Sequence, residues 1–411
     1  MSSHVRFLLC AGLLSISSIF FVSNASAQAA DEPLTLDAAF ARALTSNPSI
    51  AAARLRRAID LAGIDVAGER PNPEAHAELT NELPKQAFGL AVPLELGGKR
   101  SRRIDLAQAT LQTGEAELTA TILDIRTQVR RAYFARLIAE ARLAILDELR
   151  QFASRAADAA QARFDVGSAP RLEALQAQLA LAEADNELGS ARATADAARI
   201  SLNALLGIPL ERNAPLATSL DSAPVLVGAV ALARAQSANA ELAVLDRQIA
   251  EAQARVTLAN ALRTPDVTPD FTITHDAEPE FTWGWRAAAA VTIPLFTSHR
   301  AGVRVEQATL AQLNAQRAAV LARVTGEVTA TSALAEAERL TYLRYRDQIL
   351  PQALEVERMA EDSYRLGQTG IAALLQALQQ SRQVRLQSLQ TASDLQNALS
   401  DLERAIGAPI P

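Results

Sequence analysis

The chain has 411 residues, a formal net charge of −6 and an aromatic content of only 4%. Lys and Arg form no run or stripe, which excludes a nucleic-acid surface, and so few aromatics argue against large globular cores. Ala, Leu, Gln, Glu and Arg dominate instead, the composition of long helices and coiled coils.

Residues 1–27 read as a secretory signal peptide. His4 and Arg6 precede an apolar run from Phe7 to Val22, and Ala25-Ser26-Ala27 fits the small-x-small cleavage pattern, for a mature start near Gln28. Cys10, the sole cysteine, lies inside that segment behind Leu9, where a lipoprotein signal needs a small residue. The mature chain then carries no thiol, no disulfide and no thiolate metal site.

A first repeat is read over residues 28–210. Leu36, Phe40, Leu44, Ile50, Leu55 and Ile59 recur at helical spacing, and Asn47-Pro48 marks a break or a new helix start. After Arg70-Pro71-Asn72-Pro73 the period falls to two, predicting a β-hairpin over about 73–95. A proline-free long helix follows over 101–165. Leu118, Ile122, Ile125 and Val129 give it a coiled-coil seam, and its length is about 98 Å. Gly167 and Pro170 end it at a tip, 166–170. A helix over 171–206 then closes the half at Gly207-Ile208-Pro209.

Residues 211–411 run through the same order: a helix over 227–262, a hairpin over about 266–294, a long helix over 300–365, a tip at 366–370 and a helix over 371–406. Gly367 and Gly407 repeat Gly167 and Gly207 at an offset of 200, and Pro294-Leu295 repeats Pro93-Leu94 at 201. The chain is a tandem duplication. The helices over 36–68 and 171–205 are about 50 Å each. Laid end to end they match the long helix, so each half reads as two parallel rods, one continuous and one in two pieces.

An isolated two-stranded hairpin is not stable in water, and four strands do not close a barrel, whereas several chains together do. Phe88, Leu90, Val92, Trp283, Trp285 and Val291 share one face of the strands. Glu74, His76, Glu78, Thr282, Gly284 and Arg286 share the other. That is the lipid-out, lumen-in alternation of a membrane barrel. Phe281, Trp283 and Trp285 gather near one strand end, as a membrane girdle does. No apolar run of about 20 residues follows the signal, so no helical span is expected.

These features resemble TolC-type outer-membrane efflux factors over essentially the whole mature chain. The phrase Arg163-Phe164-x-Val166-Gly167, followed by Glu173-Ala174-Leu175 and Gln178, is similar to that family's periplasmic tip. The segment Pro93-Leu94-Glu95-Leu96-Gly97-Gly98-Lys99-Arg100 is similar to one typical of its heavy-metal (cobalt–zinc–cadmium) branch. The resemblance implies a mainly α fold with a small β part, and a homotrimer. Each chain would give four strands to a twelve-stranded barrel in outer-membrane lipid, continuous with a periplasmic tunnel of helices. It also implies partners, namely a periplasmic adaptor (membrane fusion) protein and an inner-membrane RND pump, and the role of a passive exit duct for heavy-metal cations. Arg163, Val166, Gly167, Glu173, Tyr364, Leu366 and Gly367 would then form the adaptor-docking entrance tip. Ala373 and Gln376 stand where the family's drug and toxin channels carry acids, so the same acidic ring is not expected, although Glu173 keeps the acidic position in the first tip.

No enzyme is read from this sequence. Gly97-Gly98-Lys99-Arg100-Ser101 fails the phosphate-loop pattern, because Pro93 and Arg100 stand where Gly and Ser/Thr are needed. It reads as a strand-to-helix turn. His76, His275 and His299 are widely spaced, with no ligands one helical turn apart. No cofactor or metal site is therefore assigned, although an arrangement with His76 and His275 both facing the lumen stays open. Drug efflux, type I protein secretion and a soluble periplasmic coiled-coil scaffold remain as alternative functions.

Overall fold

A computed structural model of the chain describes residues 33–220, 224, 228–278, 281–293 and 296–410. The signal segment 1–27 and the Pro294-Leu295 pair lie outside the described residues. Two short helices open the described chain, α1 (Leu36–Ser46) and α2 (Pro48–Gly68). Asn47 separates them. Its Oδ1 accepts the Ser49 N–H at 2.9 Å as a helix cap, and Pro48 takes the first helical position, where its missing N–H costs nothing.

The second repeat differs from expectation here. Residues 227–262 do not form one helix; they hold α5 (Gly228–Ala238) and α6 (Ala240–Ala261), with residue 227 outside the described set. Asn239 makes the break, its Oδ1 accepting the Glu241 and Leu242 N–H groups at 3.1 Å. Ala240 stands where Pro48 stands in the first repeat, so the break carries no proline signal. Both asparagines reach across as well, Asn47 Nδ2 donating to the Leu205 carbonyl and Asn239 Nδ2 to the Ala405 carbonyl, each at 2.9 Å. These carbonyls belong to α4 (Arg171–Leu206) and α9 (Ile371–Ile406). Gly207 and Gly407, with φ of +62° and +76°, end those helices, and a Cβ on either would press on the backbone of Ser46 or Ala238.

The long helix α3 (Lys99–Asp165) runs 67 residues, about 100 Å. Its counterpart is not continuous. It divides into α7 (Arg300–Arg344), one π turn over Tyr345–Ile349, and α8 (Leu350–Arg365), where the Leu350 N–H bonds the Tyr345 carbonyl. Pro351 has no N–H for the ladder, and the slip by one residue lies just before it. Helix α3 packs on α2, α4, α6 and α9, and α6 packs on both α3 and α7, so the two repeats interlock along their length. Ile125, Val129, Tyr133, Leu202 and Leu206 bury the first waist against Ala39 and Ala43; Val324, Val328, Leu399 and Leu402 bury the second against Ala231 and Ala235. Alanine at these contacts lets the rods approach closely.

Four antiparallel strands form one sheet in the order β1 (Glu74–Leu79), β2 (Gln86–Ala91), β3 (Val267–Glu278), β4 (Phe281–Val291). Each repeat contributes a hairpin, and the β2–β3 ladder joins them. Among the described residues, β1 and β4 each pair with one strand only and are the open edges.

The turn at the base of the sheet is where Gly97-Gly98-Lys99 falls. Both glycines take positive φ, +69° and +70°, and the Lys99 Nζ lies 2.6 Å from Asp266 Oδ2 just ahead of β3. The Leu96 N–H donates to the other Asp266 oxygen at 3.0 Å. Burial pushes the Asp266 carboxyl up, but the Lys99 ammonium and the Leu96 N–H outweigh it and hold the group below its ordinary value.

Candidate functional site

The tips are built alike. In the first, the Gly167 N–H bonds the Phe164 carbonyl at 2.9 Å and the Ser168 N–H bonds the Arg163 carbonyl at 2.8 Å. In the second, Gly367 bonds Tyr364 at 3.0 Å and Gln368 bonds Ser363 at 2.9 Å. Gly167 and Gly367 have φ of +77° and +71°, the left-handed cap that only glycine takes without strain. Nothing lies within 4 Å of a Cβ built on either, so both turns face open space.

The predicted tip residues divide into two groups. Val166 and Leu366, at matching places, are 78% and 68% exposed and present bare apolar side chains at the apex. Arg163, Glu173 and Tyr364 instead come together beneath it. Arg163 Nη1 lies 3.7 Å from Glu173 Oε2, and its guanidinium sits 5.4 Å from the centre of the buried Tyr364 ring. The Tyr364 hydroxyl first, and then the Glu173 charge, raise the Arg163 pKa further above its usual range.

Glu173 also does something the sequence reading did not anticipate. Its Oε1 accepts the Ile371 N–H at 3.4 Å, so a carboxylate of the first repeat caps the N-terminus of α9 in the second. Only 13% of that side chain is exposed. Ala373, in the matching place, has no carboxylate to return the bond. The tie runs one way, from the first tip to the second.

Above the tips a groove of about 320 Å³ opens between α3, α4 and α9. Leu146, Leu149, Leu179, Leu375 and Leu378 line it, and Arg382 pairs with Glu187 at its edge. Sequence reasoning missed this groove, because its lining is drawn from three separate helices and includes Leu146, Leu149 and Leu378 of the buried core.

The sheet has two chemically distinct faces. Ala77, Phe88, Ile273 and Trp285 stand in one cross-strand row, with Ala75, Leu90, Phe271 and Ala287 in the next. Phe88, Phe271, Ile273, Trp283 and Trp285 are all exposed, and the Phe271 and Trp285 rings stack at 6.3 Å. The opposite face carries Glu74, His76, Glu78, Asp270, Thr272 and Arg286, with Thr272 and Thr274 buried. For the girdle, Trp283 and Trp285 lie on the apolar face, whereas of Phe281 only its backbone pairing with Glu278 is described.

His76 and His275 do not share a face. His275 is in the Gln86–Trp283 row on the apolar side, its ring 4.6 Å from the Trp283 ring; His76 is in the Gly89–Thr272 row on the polar side. A lumen-facing histidine pair is therefore ruled out. Strand parity decides it, since residues separated by one strand position point to opposite sides.

Among the described residues, no group of three or more His, Cys, Asp and Glu is placed to hold a metal ion, and no helix is long and apolar enough to cross a membrane.

Comparison with known proteins agrees with this geometry. Residues 39–208 match the outer membrane efflux protein family. The chain is 27% identical over 381 residues to the cobalt-zinc-cadmium resistance protein CzcC of Cupriavidus metallidurans, covering 91% of this chain and 90% of that one. Among solved structures it is similar to CusC, at 16% identity and a TM-score of 0.74, over 91% of this chain and 92% of that one. It is likewise similar to the MtrE outer membrane channel of Neisseria gonorrhoeae in its open state, at 19% identity and a TM-score of 0.74, over 91% and 89% of the two chains.

Proposed function

We infer that this chain is an outer-membrane efflux channel of the TolC type, closest in kind to the heavy-metal branch, and that it is a passive exit duct for heavy-metal cations. Its sheet lies in the outer membrane and its helices in the periplasm. The observation that carries this reading is the four-stranded sheet itself. It has one exposed aromatic and aliphatic face, one polar face, and two open edges at β1 and β4. Such edges are not left free in a bilayer. Three copies, β4 of each on β1 of the next, remove every edge and make twelve strands. Strand β4, with 11 residues, is long enough to cross the hydrocarbon layer when tilted.

The rods supply the periplasmic reach of about 100 Å, and the tips lie at their far end. Docking of a periplasmic adaptor, and through it of an RND pump in the inner membrane, fits the exposed Val166 and Leu366 and the leucine groove between α4 and α9. Tip residues Arg163, Glu173 and Tyr364 hold the two repeats together there, and Gly167 and Gly367 shape the turns. Cations as cargo are supported by the similarity to a cobalt-zinc-cadmium resistance protein over nine-tenths of both chains. The structures of CusC and MtrE are described in terms of a transmembrane channel and an outer membrane channel, which supports conduction as this chain's chemistry.

Separation of inner and outer membranes, followed by cross-linking of intact cells, tests this reading. Recovery in the outer membrane as a species of three chains is expected. Recovery as a soluble periplasmic monomer would return the protein to the scaffold class.

A further inference from the structure

On the polar face of the sheet, β2 presents only small residues, Ala87, Gly89 and Ala91. They leave a trough between β1 and β3, and longer side chains from the two outer strands meet over it. His76 reaches across from β1, its imidazole lying on Gly89, where a Cβ would overlap the ring. Asp270 comes from β3. His76 Nε2 and Asp270 Oδ2 stand 3.6 Å apart, too far for a hydrogen bond. Two donors on one tetrahedral zinc, with bonds of about 2.0–2.1 Å, stand about 3.3–3.5 Å apart. At 3.6 Å the pair is a little wider than that bite, and closing by a few tenths of an ångström would bring both donors onto one ion.

The second Asp270 oxygen is already occupied. Thr272 Oγ1 donates to Asp270 Oδ1 at 2.7 Å, which turns Oδ2 toward His76 in the way outer-sphere partners orient metal ligands. Glu74 shares a cross-strand row with Asp270, and Arg286 faces the same side from β4 in the His76 row.

We propose that His76 and Asp270 form a two-donor site for borderline divalent cations such as zinc and cobalt on the lumen wall of the barrel, one site in each chain. The proposal rests on the exit-duct reading for the word lumen and for the cargo class. Imidazole and carboxylate suit such ions, and two protein donors leave the remaining coordination to water. Such a site captures a cation and releases it, as conduction requires. A closed four-ligand cage would trap it. Three copies around the barrel give a ring of such sites, and the net effect is selection of hydrated divalent cations at the exit.

The test is equilibrium binding of zinc(II) and cobalt(II) to the purified intact protein in detergent micelles, in buffer without chelators. Four proteins are compared: wild type, His76→Ala, Asp270→Asn and His275→Ala, the last removing the histidine of the lipid-side face. Wild type and His275→Ala are expected to bind about one ion per chain, and the other two to bind it about tenfold or more weakly. The cobalt(II) visible spectrum of wild type should show nitrogen ligation that His76→Ala abolishes. Gly89→Val, which keeps both donors but displaces the imidazole, should behave like His76→Ala. Equal binding by all variants, or an equal loss in His275→Ala, would overturn the site. Those outcomes leave the exit-duct reading standing, since it fails only on localisation and efflux.

Discussion

Lys99 on the first residue of α3 and Asp266 ahead of β3 form an ion pair of 2.6 Å that ties the two repeats where the helices meet the sheet. The lysine side chain is 7% exposed, so removing its partner strands a buried ammonium. Asp266→Asn should therefore destabilise the protein by about 1–3 kcal/mol. The pH dependence follows from the lowered Asp266 pKa. A depressed carboxyl stabilises fully above its unfolded value, about 3.9, and that contribution disappears as pH falls through the lower native value. The gap in thermal midpoint between wild type and Asp266→Asn should thus be widest near neutrality and shrink below about pH 4. A gap independent of pH would show that the charge on Asp266 is not what matters.

At the tip, Glu173 joins Arg163 to the N-terminus of α9. Glu173→Ala and Arg163→Ala should each loosen the link between the repeats and raise single-channel conductance in planar bilayers. The two changes break one unit, so the double variant should add little to either single one. Additive effects, or unchanged conductance, would remove the tie from the account.

The glycine turns test docking. Gly167→Asp or Gly367→Asp places a residue with a side chain at positive φ and a negative charge at a helix C-terminus, both unfavourable. Because a Cβ meets open space there, the fold has room for it. The variants should reach the outer membrane in normal amounts and fail to export. Export at wild-type rates by both would show that the turns do not meet the adaptor.

Gly114 is the glycine inside α3, and a Cβ on it would overlap the Oδ2 of Asp60, a carboxyl on α2 that is 5% exposed and held by Arg56 at 3.0 Å. Glycine to alanine in an open helix gains about 1 kcal/mol. Here the crowding should reverse the sign, to a loss of about 1–3 kcal/mol. In an Asp60→Ala background the same change should become stabilising. Urea denaturation of the four proteins reads the cycle.

Much of this architecture was legible because the duplication repeats its punctuation. Gly167 and Gly367, Gly207 and Gly407, and the shift to period two before Phe88 and Phe271 each mark a feature that backbone geometry demands. Less visible were features whose cause is a single side chain without its usual companion. Asn239 breaks a helix with no proline after it. The π turn at Tyr345–Ile349 follows from Pro351, which also reads as an ordinary first-turn proline of a new helix. The polarity of the sheet faces follows from alternation, and so does the split of His76 from His275: His275 keeps step with Phe271 and Ile273, and His76 with Glu74 and Glu78. The register of β2 against β3, where Gln86 meets His275 and Gly89 meets Thr272, agrees with it. The role of Glu173 was half legible, since its sequence position marks the tip but not its reach across to Ile371.

The most direct measurement of the central claim is the cellular content of zinc, cobalt and cadmium in cells lacking this gene, with and without the gene restored. An exit duct for heavy-metal cations predicts that at least one of these ions accumulates on exposure and that restoring the wild-type gene, but not Gly167→Asp, returns it to normal. Unchanged content of all three, with sensitivity confined to dyes and detergents, would contradict the cation assignment and make the channel one for organic compounds.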